Sequence, residues 1–296
     1  MTAASLLVAP FEEFGFMRRA LAGALALALG GGPIGTILVL RRMSLVGYAL
    51  SHAVMPGAAL GFIMGGLSLV SLALGGLVAG LGVALAAGVI SRVTAQGEDA
   101  SFAVLYNTAV AVGVVLISAY ASSTDLMGLL FGDILALDDP ALLLVAGTAS
   151  LTLVVIALIY RPLLAECFDP LFVAASGGKG ARVQMLFLVL VVLNLVSAFF
   201  GLGVLLAVGL LIVPAVSARF WSDDVAALFA LSTGMALLAG YAGLVASFAF
   251  DQPSGPAIVL AAGSIYLASL LFGRRGGLLV ASAGPSGALS SPVRRP

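Results

Sequence analysis

Every ionisable residue in this chain is confined to a few short clusters, and that distribution restricts the fold more than any motif does. The 13 Lys/Arg and 13 Asp/Glu leave charge-free stretches over 20–40, 43–91, 100–124, 141–160, 183–218, 225–250 and 252–273. A charge at the centre of a bilayer costs roughly 2.5–3.5 kcal/mol on insertion scales. About 20 apolar residues cross the hydrocarbon as a helix. Lipid offers the backbone no hydrogen-bond partners, so the segments that cross it must be helical. Charged residues make up only 9% of the chain, against about 25% in a soluble domain, too few to coat a water-facing surface. The expected fold is an all-α, polytopic transmembrane helical bundle lying in membrane lipid.

The apolar blocks divide into nine expected spans, near 20–40, 44–64, 69–90, 101–121, 141–160, 183–200, 202–218, 226–248 and 257–273. The block 43–91 is too long for one helix, and Gly65-Gly66 marks a turn within it. The two spans around Gly201 could equally be one bent helix, which leaves eight. The segment 122–140 is too short and polar to cross twice and reads as an outer loop with a re-entrant piece. The chain then divides into an extracytoplasmic segment 1–16, a transmembrane region 17–275 and a disordered tail 276–296 rich in Gly, Ser and Pro. Residues 1–15 carry Glu12 and Glu13 and lack the basic start of a signal peptide.

Basic residues near span ends set the orientation. With nine spans and the N-terminus outside, the C-terminus is cytoplasmic. The inner side then holds Arg41, Arg42, Arg92, Arg161, Lys179, Arg182, Arg219, Arg274, Arg275, Arg294 and Arg295. The outer loops hold Asp125, Asp133, Asp138, Asp139 and Asp251 without a basic residue, an acidic mouth that would concentrate cations. That pattern is equally a by-product of positive-inside topology. A net charge of zero gives no field to gather nucleic acid, and one cysteine, Cys167, excludes a disulfide framework.

Small residues recur every four positions in the second span at Ala49, Ala53, Gly57, Gly61 and Gly65, and again at Gly31/Gly35 and Gly76/Gly80. Such stripes let helices approach closely. His52, the single histidine, lies in the same span, and a polar ring at that depth must face the bundle interior or a cavity. Its imidazole suits zinc and other late divalent metals; the competing reading is a histidine held for packing. Tyr48 lies one turn earlier and Pro56 one turn later. Asn107, Gln184 and Asn194 read as interhelical hydrogen-bonding groups. Pro33, Pro214 and Pro256 break or bound helices, each more often as a simple kink.

The segment 161–182 is the longest inner connection. Phe168, Leu171, Phe172 and Ala175 fall at helical spacing and predict a short amphipathic helix, with Asp169 as its cap and Pro170 at its first position. No enzymatic signature accompanies it. Gly178-Lys179 is followed by Gly180 where a phosphate loop needs Ser or Thr, and Val173 stands where it needs Gly. Ser51 and His52 are sequence neighbours, so on a helix they point about 100° apart and cannot act as nucleophile and base.

Five segments, in order, resemble the permease subunits of ABC transporters that import zinc, manganese or iron. RRMSLVGYALSHAVMPG at 41–57 resembles that family's RRMSLxGDALSHAxxPG signature. Glu98-Asp99, Asp125-Leu126-Met127 and Leu130-Phe131-Gly132-Asp133 resemble its central stretch. Phe168-Asp169 through Gly177 resembles its cytoplasmic coupling segment, and LAVGLLIVPA at 206–215 and DQPSGP at 251–256 resemble its C-terminal part. One departure stands out: Tyr48 occupies the place of an Asp that, with the following His, lies in the family's translocation path. A protonated phenol is a poor metal ligand, so His52 alone carries over.

The resemblance implies a homodimer in a bacterial plasma (inner) membrane, a cytoplasmic ATPase docked on Phe168, Asp169, Leu171, Phe172 and Gly177, and an extracytoplasmic metal-binding protein. It implies no permanently bound cofactor, only a divalent metal as cargo, passing His52 and, more doubtfully, Tyr48 and Asp251. A nitrogen ligand without a carboxylate leans toward zinc over manganese or iron. ATP hydrolysis is expected in the separate subunit, so the chain itself is not an enzyme. The competing transport reading, an ion-coupled secondary transporter, needs carboxylates within the spans or an unwound ion site, and none of the nine spans contains an Asp or Glu.

Overall fold

A computed structural model describes residues 3–66, 68–94, 97–120 and 134–279. Twelve α-helices and one 3-10 turn account for the regular structure among these residues, with no strand. They are α1 (Ala3–Glu13), α2 (Gly15–Leu40), α3 (Ser44–Ala53), α4 (Met55–Gly65), α5 (Leu69–Val93), α6 (Glu98–Tyr120), the turn Ile134–Ala136, α7 (Asp139–Phe168), α8 (Pro170–Ala175), α9 (Gly180–Leu202), α10 (Val204–Ala218), α11 (Val225–Phe250) and α12 (Ser254–Phe272). Taking α3 and α4 together, eight of these are long and apolar enough to cross a membrane, and α10 is a ninth, shorter apolar helix. The expected outer loop and its re-entrant piece fall mostly on 121–133, and most of the expected tail on 280–296, outside the described residues.

Glycine punctuates the chain where two spans had to be separated. Gly66 adopts φ +64° after α4, and Gly203 adopts φ +95° between α9 and α10, a region open to glycine without steric cost. The stretch 183–218 is therefore two helices, not one bent helix. Pro33 and Pro214, expected to break or bound helices, lie inside the continuous α2 and α10. Pro256 sits in the first turn of α12, where a missing N–H costs little.

Burial sorts the helices into a centre and a ring. Most of α2 and α9 is buried within the chain, whereas α5, α6, α7, α11 and α12 bury only one stripe. Their outer faces carry Val78, Leu143, Leu158 and Leu260, each more than 70% exposed, the signature of lipid as solvent. One apolar cluster joins α2 to α7, α10, α11 and α12 through Leu27, Ala149, Leu206, Ala239 and Ile258. A second joins α2 to α3, α5 and α9 through Leu38, Leu50, Ala84 and Val191.

The small-residue stripes meet as expected. A Cβ added at Gly57 would collide with the carbonyl oxygen of Gly75, and one at Gly61 with that of Ser71, so α4 and α5 touch backbone to backbone. Gly35 meets the Leu211 carbonyl of α10 in the same way. Polar groups close the remaining seams. The Asn194 amide donates to the Thr152 hydroxyl at 2.5 Å, linking α9 to α7. The hydroxyls of Thr36 and Ser232 lie 2.9 Å apart, and both donate to the Gly32 carbonyl beside Pro33. Asn107 corrects the expectation: its amide donates to Ala103 O on its own helix at 2.8 Å and reaches no neighbour. An exposed side chain on α6 satisfies itself locally.

Contacts at the helix ends define two rims. Arg19 lies 3.5 Å from Asp139, and the Phe14 and Phe248 ring centroids are 5.7 Å apart, so the starts of α2 and α7 share a rim with the end of α11. At the other rim Arg92 meets Glu166, and Arg275 meets Asp223. This is the alternation that successive membrane crossings require.

The segment 161–182 departs from its expected form. α7 does not stop at Tyr160 but continues to Phe168, 30 residues in all from Asp139, carrying Pro162 within it. Glu166 is therefore a carboxylate on the same rod as the fifth span, and it is only 2% exposed. The sequence pattern hid this because Arg161-Pro162 looks like a helix end.

Candidate translocation site at a broken helix

The second span is the one whose middle is interrupted. α3 ends at Ala53 and α4 begins at Met55, with Pro56 in the first turn of α4. Proline has no N–H to give the carbonyl four residues earlier, and that carbonyl belongs to His52. The break therefore falls on the residue that carries the imidazole. Ser51, 1% exposed, turns its hydroxyl back onto Tyr48 O at 2.7 Å. Val54 wedges against Gly76 and Gly80 of α5, and Pro56 lies against Gly113 of α6. Gly47 lets α3 settle on Leu211 and Ile212 of α10. The kinked segment is thus held on three sides by close helix contacts.

His52 stands between two phenol-bearing rings. Tyr48 meets it edge-on with centroids 4.6 Å apart, and Tyr106 of α6 lies near-parallel at 6.0 Å. The imidazole Nδ1 is buried and has no hydrogen-bond partner among the described residues. A buried polar nitrogen without a partner is uncommon, and a lone pair or N–H so placed is available to a passing ligand. Tyr48 itself is 51% exposed and faces outward from the single chain.

The other expected site residues lie elsewhere. Asp251 caps α11 in the left-handed region at φ +50°, on the turn to α12, and α3 packs instead on α6, α5 and α9. Asp138 and Asp139 of the expected acidic mouth have structural partners: Asp138 accepts from Ala141 N to cap α7, and Asp139 faces Arg19. Asp125 and Asp133 lie outside the described residues. No group of three or more His, Cys, Asp or Glu that could hold a metal ion occurs among the described residues.

The segment after α7 forms the short helix that its sequence predicts. Asp169 accepts from Phe172 N at 2.9 Å as the cap of α8, Pro170 opens the helix, and Gly177, at φ +72°, follows its end. Phe168, Leu171 and Phe172 are 66%, 82% and 66% exposed. The amphipathic pattern therefore does not pack back onto the bundle; it presents an apolar face outward.

Tyr106 and the Arg92–Glu166 pair were missed by sequence reasoning. Tyr106 adjoins Asn107 in an apolar run, but its relation to His52 exists only once α6 packs on α3. Arg92 looks like an ordinary span-end residue until α5 brings it to Glu166, where it also meets Gln184, the interhelical hydrogen-bonding group that the sequence marked on α9.

A bundle of membrane-crossing helices, with one helix broken beside the half-buried His52, whose Nδ1 has no partner among the described residues, defines a polytopic helical membrane protein. Residues 13–273 match the ABC 3 transport family, and the chain belongs to that family as a permease. It is 34% identical over 258 residues to the manganese import system permease protein ScaB of Streptococcus parasanguinis, covering 87% of this chain and 91% of that protein. It is 32% identical over 267 residues to the manganese transport system membrane protein MntC of Listeria innocua, covering 90% and 94%. It is 29% identical over 268 residues to the chelated iron transport system membrane protein YfeD of Yersinia pestis, covering 90% and 89%. Among solved structures, PsaBC from Streptococcus pneumoniae in complex with Fab superposes with a TM-score of 0.81 at 32% identity, covering 94% of this chain and 99% of that one. An inward-facing metal-chelate type ABC transporter shares the fold, with a TM-score of 0.69 at 15% identity, covering 86% and 85%.

Proposed function

We propose that this chain forms the membrane path of an ABC importer for a divalent metal ion, manganese in preference to zinc. The observation that carries the reading is the break between α3 and α4, which sets the partnerless Nδ1 of His52 into a ring-lined site at midspan. By ligand class an imidazole without a carboxylate favours zinc. One nitrogen on an otherwise apolar helix discriminates weakly, however, and the relatives' names speak of manganese and iron. We therefore set the zinc lean aside. A weak, transient site suits transport, because an ion bound tightly would not leave; channels obey the same balance.

In this reading α8 is the coupling helix. Its exposed Phe168, Leu171 and Phe172 form the apolar anchor for a cytoplasmic ATPase, with Asp169 and Gly177 fixing the ends of the helix. The positive-inside bias places that rim in the cytoplasm and the N-terminus outside. An extracytoplasmic binding protein delivers the ion to the opposite rim, near Asp251. Two copies of the chain make a homodimer, with the outward face bearing Tyr48 contributing to the path.

The test is metal uptake by proteoliposomes containing the permease, its ATPase and its binding protein. We expect ATP-dependent uptake of manganese that exceeds that of zinc at equal free concentrations. Zinc uptake equal to or above manganese would refute the metal assignment. Uptake by the permease alone, without ATP, would instead favour an ion-coupled carrier.

A further inference from the structure

Glu166 is a carboxylate almost fully removed from water, 2% exposed, and nothing in the path described above uses it. Its position is unfavourable on its own helix. It lies in the last turn of α7, where the helix dipole opposes negative charge. Two neighbours offset this, and a third holds Arg92 in place. Arg92, from the last turn of α5, donates to Glu166 Oε1 at 2.6 Å. Gly180, the first residue of α9, approaches so closely that a Cβ there would collide with Glu166 Oε2, so the carboxylate sits against the positive end of α9. The same Arg92 nitrogen donates to the side-chain oxygen of Gln184, one turn into α9 and 1% exposed. The other wall of this junction is Val173 of α8, which packs against Gly178 and Gly180.

α8 is therefore joined to the bundle through a polar knot at its two ends. The chain enters α8 just after Glu166 and leaves it just before Gly180, and Glu166, Arg92 and Gln184 tie those two ends to α5. α5 packs on α4 through the backbone contacts at Gly57 and Gly61 and seats Val54 at the break beside His52. A continuous set of packed contacts thus runs from α8 to the kinked span, and rigid, discretely packed elements are what carry coupling between distant sites.

We propose that Glu166 and Arg92 are positioning residues that transmit movement of α8 to α5, and so to the broken helix. The proposal rests on the reading of α8 as the ATPase-coupling helix. A solvent-facing ion pair would be a poor transmitter, because its partners exchange with water. Here only Arg92 is partly exposed; the Glu166 carboxylate is buried and anchored to two helices, which leaves it few alternative arrangements, so displacing α8 displaces its partners.

The experiment uses the full complex of permease, ATPase and binding protein in liposomes and measures manganese imported per ATP hydrolysed. Glu166→Gln and Arg92→Gln are expected to assemble and to hydrolyse ATP, with the ratio lowered about fivefold or more, the lower end of typical allosteric coupling. Arg92→Lys, which keeps the charge but not the forked donor, is expected to fall between these variants and the parent. A purely structural pair would lower assembly or thermal stability and leave the ratio of the surviving complex unchanged, and that result overturns the proposal. Should Glu166→Gln fail to assemble, the partly exposed Arg92 decides: a parental ratio in Arg92→Gln overturns it equally. Binding of the ATPase to a Phe172→Glu permease separates the two readings. Undiminished binding there removes the coupling assignment itself, whereas lost binding alongside parental ratios in the Glu166 and Arg92 variants removes only the transmission.

Discussion

The Tyr48 ring meets the His52 imidazole edge-on at 4.6 Å, one turn apart on the same short helix. The contact orients the imidazole without occupying Nδ1, since a ring edge is no hydrogen-bond partner for it. In the proposed path Tyr48 would be a wall rather than a ligand, and the imidazole nitrogen would be the donor of the pair.

Replacing His52 with Ala should lower manganese uptake about tenfold, equivalent to roughly 1.4 kcal/mol at the rate-determining state. Dimer assembly should persist, because the ring makes no polar contact that holds α3 in place. Uptake that matches the parent across a range of manganese concentrations would remove His52 from the path.

Tyr48→Asp places a hard oxygen ligand one turn from the imidazole. The side chain is half exposed, so the change is accommodated without rebuilding the core. Competition between manganese and zinc for uptake should shift toward manganese in this variant. A shift toward zinc would contradict the assignment of position 48 to the ligand shell.

Phe172→Glu should weaken binding of the ATPase subunit by about 2 kcal/mol, or roughly thirtyfold, the scale of a central apolar anchor. Phe172 is 66% exposed, so the membrane part should keep its thermal midpoint. Pull-down and thermal melting of the same preparation check both halves of the statement.

Gly57→Val should disrupt the pairing of α4 with α5. The added Cβ would meet the Gly75 carbonyl, which is backbone and cannot turn aside. Overpacking of this kind costs about 1–3 kcal/mol, read as a lowered unfolding midpoint in detergent. A midpoint unchanged by the substitution would mean that the two helices are not in backbone contact.

Asn194→Leu removes the hydrogen bond to Thr152. Interhelical bonds in membranes average about 0.6 kcal/mol and reach about 1.7, so a loss of about 1 kcal/mol is expected, with transport kept. Steric denaturant or SDS unfolding curves measure it.

Much of this bundle could be seen before its coordinates, and the reason is lipid. Charges expelled to the rims mark the span ends, and Gly65-Gly66 falls where the chain must turn; the break sought around Gly201 is made at Gly203, a position the pattern did not single out. The cap of α8 was equally plain, since Asp followed by Pro has a local mechanism that no tertiary contact overrides. What stayed hidden depended on neighbours. Arg161-Pro162 looked like a terminus because both residues usually end helices, yet α7 carries them through and buries Glu166 beyond them. Pro33, read as a break, a boundary or more often a simple kink, lies inside the continuous α2, with Thr36 and Ser232 bonded to the adjacent Gly32 carbonyl. Tyr106 acquires meaning only from the packing of α6 against α3, and Asn107 loses its expected role because its own helix satisfies it.

α7 has one more implication. Its 30 residues span about 45 Å at 1.5 Å per residue, whereas the hydrocarbon is about 30 Å thick. The rod overhangs its greasy bearing by about 15 Å, so a slight tilt at the midplane becomes a wide swing at Phe168. In the coupling reading proposed above, an ATPase acting at that tip would have mechanical advantage, and a closure of a few ångströms there would move the embedded end by a fraction of that stroke.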